Sequence, residues 1–371
     1  MKHRIEEINK LQIPTWSRHA INETTISLDF TDLKPYRENP LKNNDNCIQI
    51  EENAIKNSSS IRMEENALKN DADTNVKGVR EFVRNHSNQT YHIHINDNEV
   101  LDEPMVLNFI MDSENSLLIE EIIINAGRDS KATIIISYFS KEDGRHIHCG
   151  HTKMNLDKGA EIDLIKIQLL SEQSTHLDKN RVTVGEGAVA NMILAELGSG
   201  NLISECDVSL ESDRSMAKLD SIYIGNKSKV IDMNYRMEYV GRHSQGFITA
   251  KGALMDKCRK TFKNTLDFVA GSFGSKGREE ETVISLSEEA VNISVPLLLC
   301  GEENVEGQHA SNIGRLSKSK LFYLMSRGLN EKEAKRLMVE ASFTPIIEKI
   351  PLEALRNRIF HYISEVIQHD K

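Results

Sequence analysis

The residues of this 371-residue chain best suited to chemistry form the segment Arg145-His146-Ile147-His148-Cys149-Gly150-His151. Imidazole and thiolate groups are the usual ligands of zinc. In a strand, however, successive side chains point to opposite faces, so His146 and His148 share one face while Cys149 lies on the other. These groups would not converge on one metal ion. We therefore interpret the histidines as exposed or hydrogen-bonded side chains on a strand edge.

The sequence motifs of the common enzyme classes are missing. The chain contains no GxxxxGK[ST] loop, no GxGxxG after a strand, no HExxH and no GxSxG. Gly271-Ser272-Phe273-Gly274-Ser275-Lys276-Gly277 has the wrong glycine spacing for a phosphate loop and is interpreted as a turn between strands. We therefore expect no hydrolase, transferase or redox turnover from the chain alone, so that it is not an enzyme.

Five cysteines are scattered along the chain without a CxxC pair: Cys47, Cys149, Cys206, Cys258 and Cys300. Their odd number and wide spacing argue against a disulfide framework and against a local zinc or cluster-binding loop. Free cysteine is among the most buried residue types, so most of these side chains are expected to be small members of the core.

Charge and hydropathy exclude two classes of partner. The chain has 46 Lys and Arg against 56 Asp and Glu, a formal net charge of −10, and no basic run suited to phosphate backbones. Nucleic acid is therefore not expected as a partner. The sequence shows no signal-peptide pattern at its start and no stretch approaching the roughly 18 apolar residues of a membrane helix. We expect a cytoplasmic protein that does not bind membranes.

The N-terminal region, residues 1–89, is predicted to be helical at first and then a polar linker. Helical signals in the first 35 residues are followed by a stretch rich in Asn, Lys, Glu and Ser. Within it Glu51-Glu52-Asn53-Ala54-Ile55-Lys56-Asn57 recurs as Glu64-Glu65-Asn66-Ala67-Leu68-Lys69-Asn70. So polar a duplication is typical of a linker or an exposed segment, and we assign it no function.

Residues 90–314 have the pattern of a stacked strand repeat. Short alternating apolar runs place an alanine at positions 132, 160, 188 and 217, separated by 28, 28 and 29 residues. Such a period fits one coil of a β-solenoid, in which each strand pairs with the strand one coil further on. We predict a parallel β-helix with Ala132, Ala160, Ala188 and Ala217 in register.

After Gly314 the apolar period becomes helical, and residues 315–371 are predicted to form a helical cap. The first helix should end at Arg327-Gly328, where glycine can adopt a left-handed conformation. Asn330 and Glu333 have the spacing of a capping box for the next helix. A last helix is predicted after Pro351.

The order and spacing of several short segments resemble the SufB/SufD family of iron–sulfur cluster assembly proteins, and its SufD branch in particular. The segments are Lys251-Gly252-Ala253-Leu254, Lys257-Cys258-Arg259-Lys260-Thr261-Phe262, Glu289-Ala290-Val291, Val295-Pro296-Leu297-Leu298, Val305-Glu306-Gly307-Gln308-His309-Ala310, Ile313-Gly314-Arg315-Leu316 and Leu321-Phe322-Tyr323-Leu324-Met325-Ser326-Arg327-Gly328-Leu329. Pro14-Thr15-Trp16 followed by Asn22-Glu23 also looks like the N-terminal region of the family.

This resemblance implies a fold and a role. The fold would be a right-handed parallel β-helix flanked by helical N-terminal and C-terminal regions. The role would be that of a non-catalytic scaffold, which pairs through its β-helix with a SufB-like paralogue and binds the SufC ATPase through its C-terminal helices. The residues expected to provide or support the SufC contact are Leu321, Phe322, Tyr323, Arg327 and Gly328.

The resemblance also singles out His309, which corresponds to the histidine that SufD proteins place at the SufB–SufD interface. The cysteine and glutamate linked to cluster assembly in SufB are absent, because their positions fall near Glu281 and at Ala310. Gly307 replaces a cysteine found in many SufD proteins. His309 is thus a candidate ligand of a transient iron–sulfur cluster shared with a partner, or a packing residue of the interface. No intrinsic cofactor is expected.

Two alternatives remain open at this stage. A homodimeric SufB-type scaffold could hold the nascent cluster itself if Cys258 or Cys300 replaced the missing cysteine. A β-helical carbohydrate-active enzyme would need acidic or basic residues gathered on stacked strands of one groove, and no such pattern is evident.

Overall fold

The computed structural model describes residues 2–14, 21–30, 33–37, 40, 61–63, 75–316 and 318–368. Trp16, Cys47 and both copies of the duplicated polar segment lie outside these residues. The strands, numbered along the chain, are β1 (Lys2–Ile8), β2 (Thr24–Asp29), β3 (Ile61–Met63), β4 (Asn75–Lys77), β5 (Gln89–Ile95), β6 (Met105–Met111), β7 (Leu117–Ala126), β8 (Lys131–Ser140), β9 (Ile147–Leu156), β10 (Glu161–Leu169), β11 (Thr175–Val184), β12 (Val189–Glu196), β13 (Asn201–Leu210), β14 (Met216–Gly225), β15 (Val230–Tyr239), β16 (Gln245–Leu254), β17 (Arg259–Phe268), β18 (Lys276–Ser285), β19 (Val291–Cys300) and β20 (Glu306–Arg315). The described helices are α1 (Gly78–His86), α2 (Lys318–Ser326), α3 (Glu331–Ile347) and α4 (Glu353–Gln368).

Strands β5 to β20 form a parallel β-solenoid of about eight turns, which confirms the predicted fold class. The even-numbered strands β6 to β20 make an eight-stranded sheet, and the odd-numbered strands from β5 to β19, joined by β3, make a nine-stranded sheet. Neighbours within a sheet are therefore one coil apart in sequence. Because side chains alternate along a strand, every second residue points into the space between the sheets, where a continuous apolar core runs through the coils.

The predicted stacking of four alanines is wrong in its register. One column of the eight-stranded sheet contains Ala132, Ile162, Ala190 and Ala217. Ala160 and Ala188 precede their strands, in the corner of the coil, where their carbonyl oxygens accept hydrogen bonds from the amides of Val189 and Met216. The predicted and observed registers differ because the coils contain different numbers of residues. Residues at a constant sequence interval therefore do not all fall in one column of the sheet.

Strands occupy much of the described part of the first 35 residues, where helical signals were predicted, and residues 15–20 and 31–32 of that stretch lie outside the described residues. Strands β1 and β2 pair antiparallel, with Ile5 opposite Ile26, and β4 adds to β1 in parallel. The segment Lys2–Ile8 alternates between exposed and buried positions over its first four residues, which is the period of a strand. Helix α1 packs its Val79, Phe82 and Val83 against the outer face of the nine-stranded sheet.

The C-terminal helices cover a face of the solenoid, whereas a cap over one end was predicted. Helices α3 and α4 bury Val339, Phe343, Ile359 and Ile363 against outward-pointing residues of the eight-stranded sheet. The predicted capping box is confirmed, since the Asn330 side chain accepts from the amide of Glu333 at 2.9 Å. No helix of the described segments is long and apolar enough to cross a membrane.

Candidate functional site

The last coil of the solenoid is open. Strands β19 and β20 end their sheets, so each has a sheet neighbour on one side only, β17 and β18 respectively, among the residues that the structure describes. Their outer edges present unpaired backbone groups, and the side chains that would face the interior have no further coil above them. Leu298 and Ile313 are accordingly exposed large apolar side chains.

His309 lies in this open coil. In the register of β18 and β20 it stands beside Glu279, with Gly307 beside Gly277 and Ser311 beside Glu281. In the coils below, the same column faces the solenoid interior, but in the last coil the imidazole of His309 is exposed. The structure therefore places His309 where a second solenoid stacked on this end would enclose it.

A buried polar cluster lies in the coil directly below His309. Glu281 is fully buried and accepts hydrogen bonds from Tyr223 Oη at 2.7 Å and from Ser294 Oγ at 2.5 Å, and it forms an ion pair with Lys260. Lys260 Nζ also donates to Asn292 Oδ1 at 2.9 Å. Burial lowers the pKa of Lys260, while the carboxylate of Glu281 opposes that shift. Glu281, near which the family resemblance places the SufB cysteine, thus forms a buried ion pair with Lys260.

Glu279, the register partner of His309, has no such cation. Its side chain is 1 % exposed, and Asn264 Nδ2 donates to its Oε1 at 3.0 Å. Burial, followed by repulsion from Glu281, raises the pKa of Glu279 to about 8. At neutral pH this carboxyl group is therefore mostly protonated, and a cation bound nearby would favour its ionised form.

The cysteines differ sharply in their access to the open end. Cys149, Cys206 and Cys258 are buried, as predicted for most of them, and Cys300 is the exposed one among the described cysteines. Burial raises the pKa of Cys149 well above its usual range and that of Cys258 to about 11, which keeps both as thiols. Cys300 ends strand β19, beside Phe268, and therefore belongs to the same open coil as His309.

Helix α2 presents the residues predicted to contact a partner. Phe322 and Tyr323 are 75 % and 56 % exposed, and Leu321 is half-buried. The guanidinium of Arg327 lies 5.2 Å from the centre of the Tyr323 ring. Gly328 has a φ of +99°, as predicted for the residue that ends this helix. The structure thus brings these residues together as an exposed aromatic surface next to the open coil.

The histidines of residues 145–151 lie away from the open coil, and the prediction that they lie on a strand edge is wrong. Strand β9 is central in its sheet, between β7 and β11, and His146, His148 and His151 are all buried. The predicted alternation is confirmed, since Cys149 packs outward beneath helix α1. Sequence reasoning missed the partner of His148, which is His176, one coil further along the chain. The 28-residue repeat could have indicated this pair.

Comparison with known proteins agrees with this architecture. Residues 109–342 match the family model described as SUF system FeS cluster assembly, SufBD core domain. The chain is 25 % identical to SufD of Bacillus subtilis over 200 residues, which cover 54 % of this chain and 46 % of that protein. It is 23 % identical to SufD of Escherichia coli over 239 residues, covering 63 % and 56 %. SufB of Bacillus subtilis is 21 % identical over 207 residues, covering 56 % and 44 %.

The chain spans about half the length of the curated relatives it matches. The matched residues include the open coil, helix α2 and most of the solenoid, and the family model covers more than half of the chain. The parallel solenoid and this match lead to one conclusion. The chain belongs to the SufBD family of iron–sulfur cluster assembly proteins.

Proposed function

We propose that this chain is a SufD-like scaffold subunit that pairs with a SufB-like subunit through its open coil and binds a SufC-like ATPase through helix α2. Family membership supports a role in iron–sulfur cluster assembly. The SufD proteins among its relatives support the SufD-like assignment. The observation that carries the proposal is the uncovered last coil, with His309 on its inward column.

Pairing at the open coil follows from the chemistry of strand edges. Exposed edges of β19 and β20 can accept strands from a second solenoid, which would satisfy their backbone groups and cover Leu298 and Ile313. His309 would then lie at the junction of the two chains. A partner of the same fold matches this edge best, because it offers two sheet edges with the same spacing.

At such a junction His309 would act on the cluster as cargo. A neutral imidazole ligates iron, while a cysteine of the partner would supply the thiolate that clusters normally require. A cysteine at position 307 would be crowded, because a Cβ there would lie 2.7 Å from Leu298 Cδ1. The chain itself would perform no catalytic turnover, and ATP hydrolysis would belong to the SufC-like partner.

Helix α2 is the proposed contact for that ATPase. Phe322 and Tyr323 expose aromatic surface, whereas Phe343 of the neighbouring helix α3 is buried. Aromatic and arginine side chains dominate the energy of protein interfaces. The 5.2 Å cation–π contact holds Arg327 over Tyr323 and so presents both groups on one side of the helix.

A homodimer of SufB type is the second candidate, and one observation favours it. Cys300 is exposed in the open coil, so two copies of this chain could bring their own thiols to the junction. Cys258 does not fit this role, because its thiol is buried and its pKa is raised to about 11. The carbohydrate-active alternative receives no support from the family match.

Co-expression with SufB-like and SufC-like subunits tests the proposal. We expect a complex containing all three chains, in which His309→Ala lowers the yield of reconstituted cluster while assembly persists. Gln308→Ala, the exposed neighbour on the other side of the strand, is the matched control. Unchanged cluster yield in a normally assembled His309→Ala complex would make this residue a bystander.

The same experiment separates the two scaffolds. If the chain forms homodimers that hold a cluster without a SufB-like subunit, and Cys300→Ser abolishes that cluster, the SufB-type alternative is correct. Robust ATP hydrolysis by the isolated chain, abolished by a substitution within it, would contradict the non-catalytic assignment.

A further inference from the structure

A second polar cluster lies inside the solenoid, several coils before the open end. It is formed by inward-pointing residues of β7, β9, β11 and β12, all at most 3 % exposed: Glu120, His148, His176, Asp178 and Glu196. None of these residues takes part in the pairing or the SufC contact proposed above. Buried ionisable groups are costly unless they are paired or bind a cation, so their arrangement requires an explanation.

Two histidines form the centre of this cluster. His148 Nε2 lies 2.8 Å and 2.9 Å from the two carboxylate oxygens of Glu120, and His148 Nδ1 lies 2.7 Å from His176 Nδ1. With both rings neutral, His148 donates from Nε2 to Glu120 and accepts at Nδ1 the proton of His176 Nδ1. This arrangement leaves the lone pair of His176 Nε2 free. Burial lowers the pKa of His176 well below its usual range, which favours its neutral ring.

The free nitrogen of His176 faces two carboxylates. Its Nε2 is 3.5 Å from Glu196 Oε2, and ligand atoms of His176, Asp178 and Glu196 all lie within 4.8 Å of one another. Glu196 Oε2 is buried and receives no hydrogen bond from the described residues. One imidazole nitrogen and two carboxylates therefore lie close together, and one carboxylate, Glu196, has an unpartnered buried oxygen. Asp178 also accepts from Lys166 and Asn180.

Two buried lysines border the cluster, and neither forms an ion pair with Glu196 among the described residues. Lys166 Nζ pairs with Asp178 Oδ1 at 2.7 Å, and Lys229 Nζ donates to the carbonyl oxygen of Leu197 at 2.7 Å. Burial, followed by repulsion from Asp178, raises the pKa of Glu196 to about 7, while the Ser204 hydroxyl and the charges of Lys166 and Lys229 oppose this shift. The cluster thus contains more acidic groups than its two lysines neutralise.

Glycine at position 150 keeps room for this arrangement. A Cβ at Gly150 would lie 2.6 Å from Glu120 Oε1 and 2.7 Å from Asp178 Oδ1, so any larger residue would displace both carboxylates. The space beside these oxygens exists because β9 carries no side chain there.

We propose that His176, Asp178 and Glu196 bind a divalent transition-metal ion inside the solenoid, with His148 and Glu120 fixing the orientation of His176. An imidazole with carboxylates suits Zn²⁺, Fe²⁺ or Mn²⁺. A carboxylate that orients a ligating histidine through its other nitrogen is the usual support of such sites, although here His148 lies between them. Because the site is enclosed, the ion enters as the chain folds and stabilises the surrounding coils. The proposal is independent of the function of the open coil.

Refolding with defined metals tests this site. The tag-free full-length chain is unfolded in denaturant that contains a chelator and is then refolded with or without Zn²⁺. After dialysis, its metal content is measured by mass spectrometry. A parallel sample is refolded with Co²⁺ for absorption spectroscopy. We expect about one Zn²⁺ per chain, a higher melting temperature with Zn²⁺, and a Co²⁺ ligand-field band. Glu196→Gln, which keeps the shape and removes the charge, should weaken binding about 10-fold or more.

The control is His94→Gln, which removes an exposed histidine of β5 and should leave binding unchanged. Wild-type protein that refolds with less than about 0.1 Zn²⁺ per chain and shows no Co²⁺ band would overturn the proposal. Equal binding by wild type and Glu196→Gln would do the same. The cluster would then be a hydrogen-bonded network in which Glu196 holds a proton. Should Glu196→Gln fail to fold, the metal content and Co²⁺ spectrum of the wild type decide the question alone.

Discussion

Replacing Glu279 by glutamine should stabilise the open end of the solenoid at alkaline pH. Glu279 is buried beside the register position of His309, and its partner Asn264 donates to Oε1 at 3.0 Å. A glutamine oxygen can accept the same hydrogen bond, so Glu279→Gln removes the ionisable group with little change of shape. The difference between the two proteins therefore reports the titration of this one carboxyl group.

The magnitude follows from the pKa. In the unfolded chain Glu279 loses its proton near pH 4.5, whereas in the folded chain its pKa is about 8. Between these values the folded state binds one proton more than the unfolded state, so the free energy of unfolding falls as the pH rises. The slope is about 1.4 kcal/mol per pH unit, and the complete shift corresponds to at most about 4 to 5 kcal/mol. Glu279→Gln should lack this contribution, so its advantage over wild type grows from pH 5 to pH 8.

The loss of stability at alkaline pH should be confined to the coils next to Glu279, because each coil of a solenoid contacts only its neighbours. Hydrogen exchange of the peptides that cover β18 and β20, followed at pH 5.5 and at pH 8 after correction for intrinsic exchange rates, measures it directly. Urea denaturation at the same two pH values gives the overall effect. Glu280→Gln is the matched control, because Glu280 is the next residue of β18, points outward and pairs with Arg278 at 2.9 Å.

Two outcomes would refute the reasoning. If Glu279→Gln and wild type show the same dependence of stability on pH, the carboxyl group of Glu279 is not desolvated as the structure indicates. If Glu280→Gln flattens the pH dependence as much, then the effect is one of net surface charge and not of burial.

Two further predictions concern the neighbouring surfaces. Phe322→Ala should weaken binding of a SufC-like ATPase by about 2 kcal/mol, roughly 30-fold in Kd, because it truncates an exposed aromatic anchor. Titration calorimetry measures this affinity, and Val240→Ala, at another exposed apolar residue, is the control. Unchanged affinity would remove α2 as the contact. Lys260→Met should lower the free energy of unfolding by about 3 to 5 kcal/mol, because it leaves Glu281 as a buried unpaired charge. Urea denaturation measures this loss of stability. The double variant Lys260→Met/Glu281→Gln should recover part of the lost free energy of unfolding. If it recovers none, the loss comes from packing and not from the unpaired charge.

The solenoid could be predicted from the sequence because its signal is repeated. Alternation within a strand and a period near 28 residues follow from strand geometry and from the constant width of a coil. The register between coils could not be predicted, because it depends on the number of residues in each corner of the coil. Ala132 pairs with Ile162, whereas Ala190 pairs with Ala217 at a shorter sequence interval. Only backbone pairing across coils fixes which residues are neighbours.

The sequence did not predict where the C-terminal helices pack. Their apolar faces predicted burial, but not the surface that would receive them. The eight-stranded sheet carries outward-pointing Ile135, Ile165 and Ile193, so its outer face as well as its inner face is apolar. Helices α3 and α4 cover that face, and truncation before them would expose it. Substitutions at the exposed Phe322 therefore test the proposed SufC contact more cleanly than removal of the helical region.

The two ends of the solenoid differ in a way that bears on its function. At the first coil Tyr36 packs against Phe109 with ring centres 5.8 Å apart, and the carbonyl oxygen of Pro40 accepts a hydrogen bond from the amide of Asn108 in the edge strand β6. The chain thus covers this end with its own residues. At the last coil the described residues provide no such cover, and the groups beneath it include the polar Lys260, Glu279 and Glu281 beside the apolar Phe268 and Val283. A wholly apolar layer at an open end would be unstable in water, whereas polar groups within it can be solvated or can bind a partner. This asymmetry between the two ends supports the proposal that a partner subunit pairs at β19 and β20.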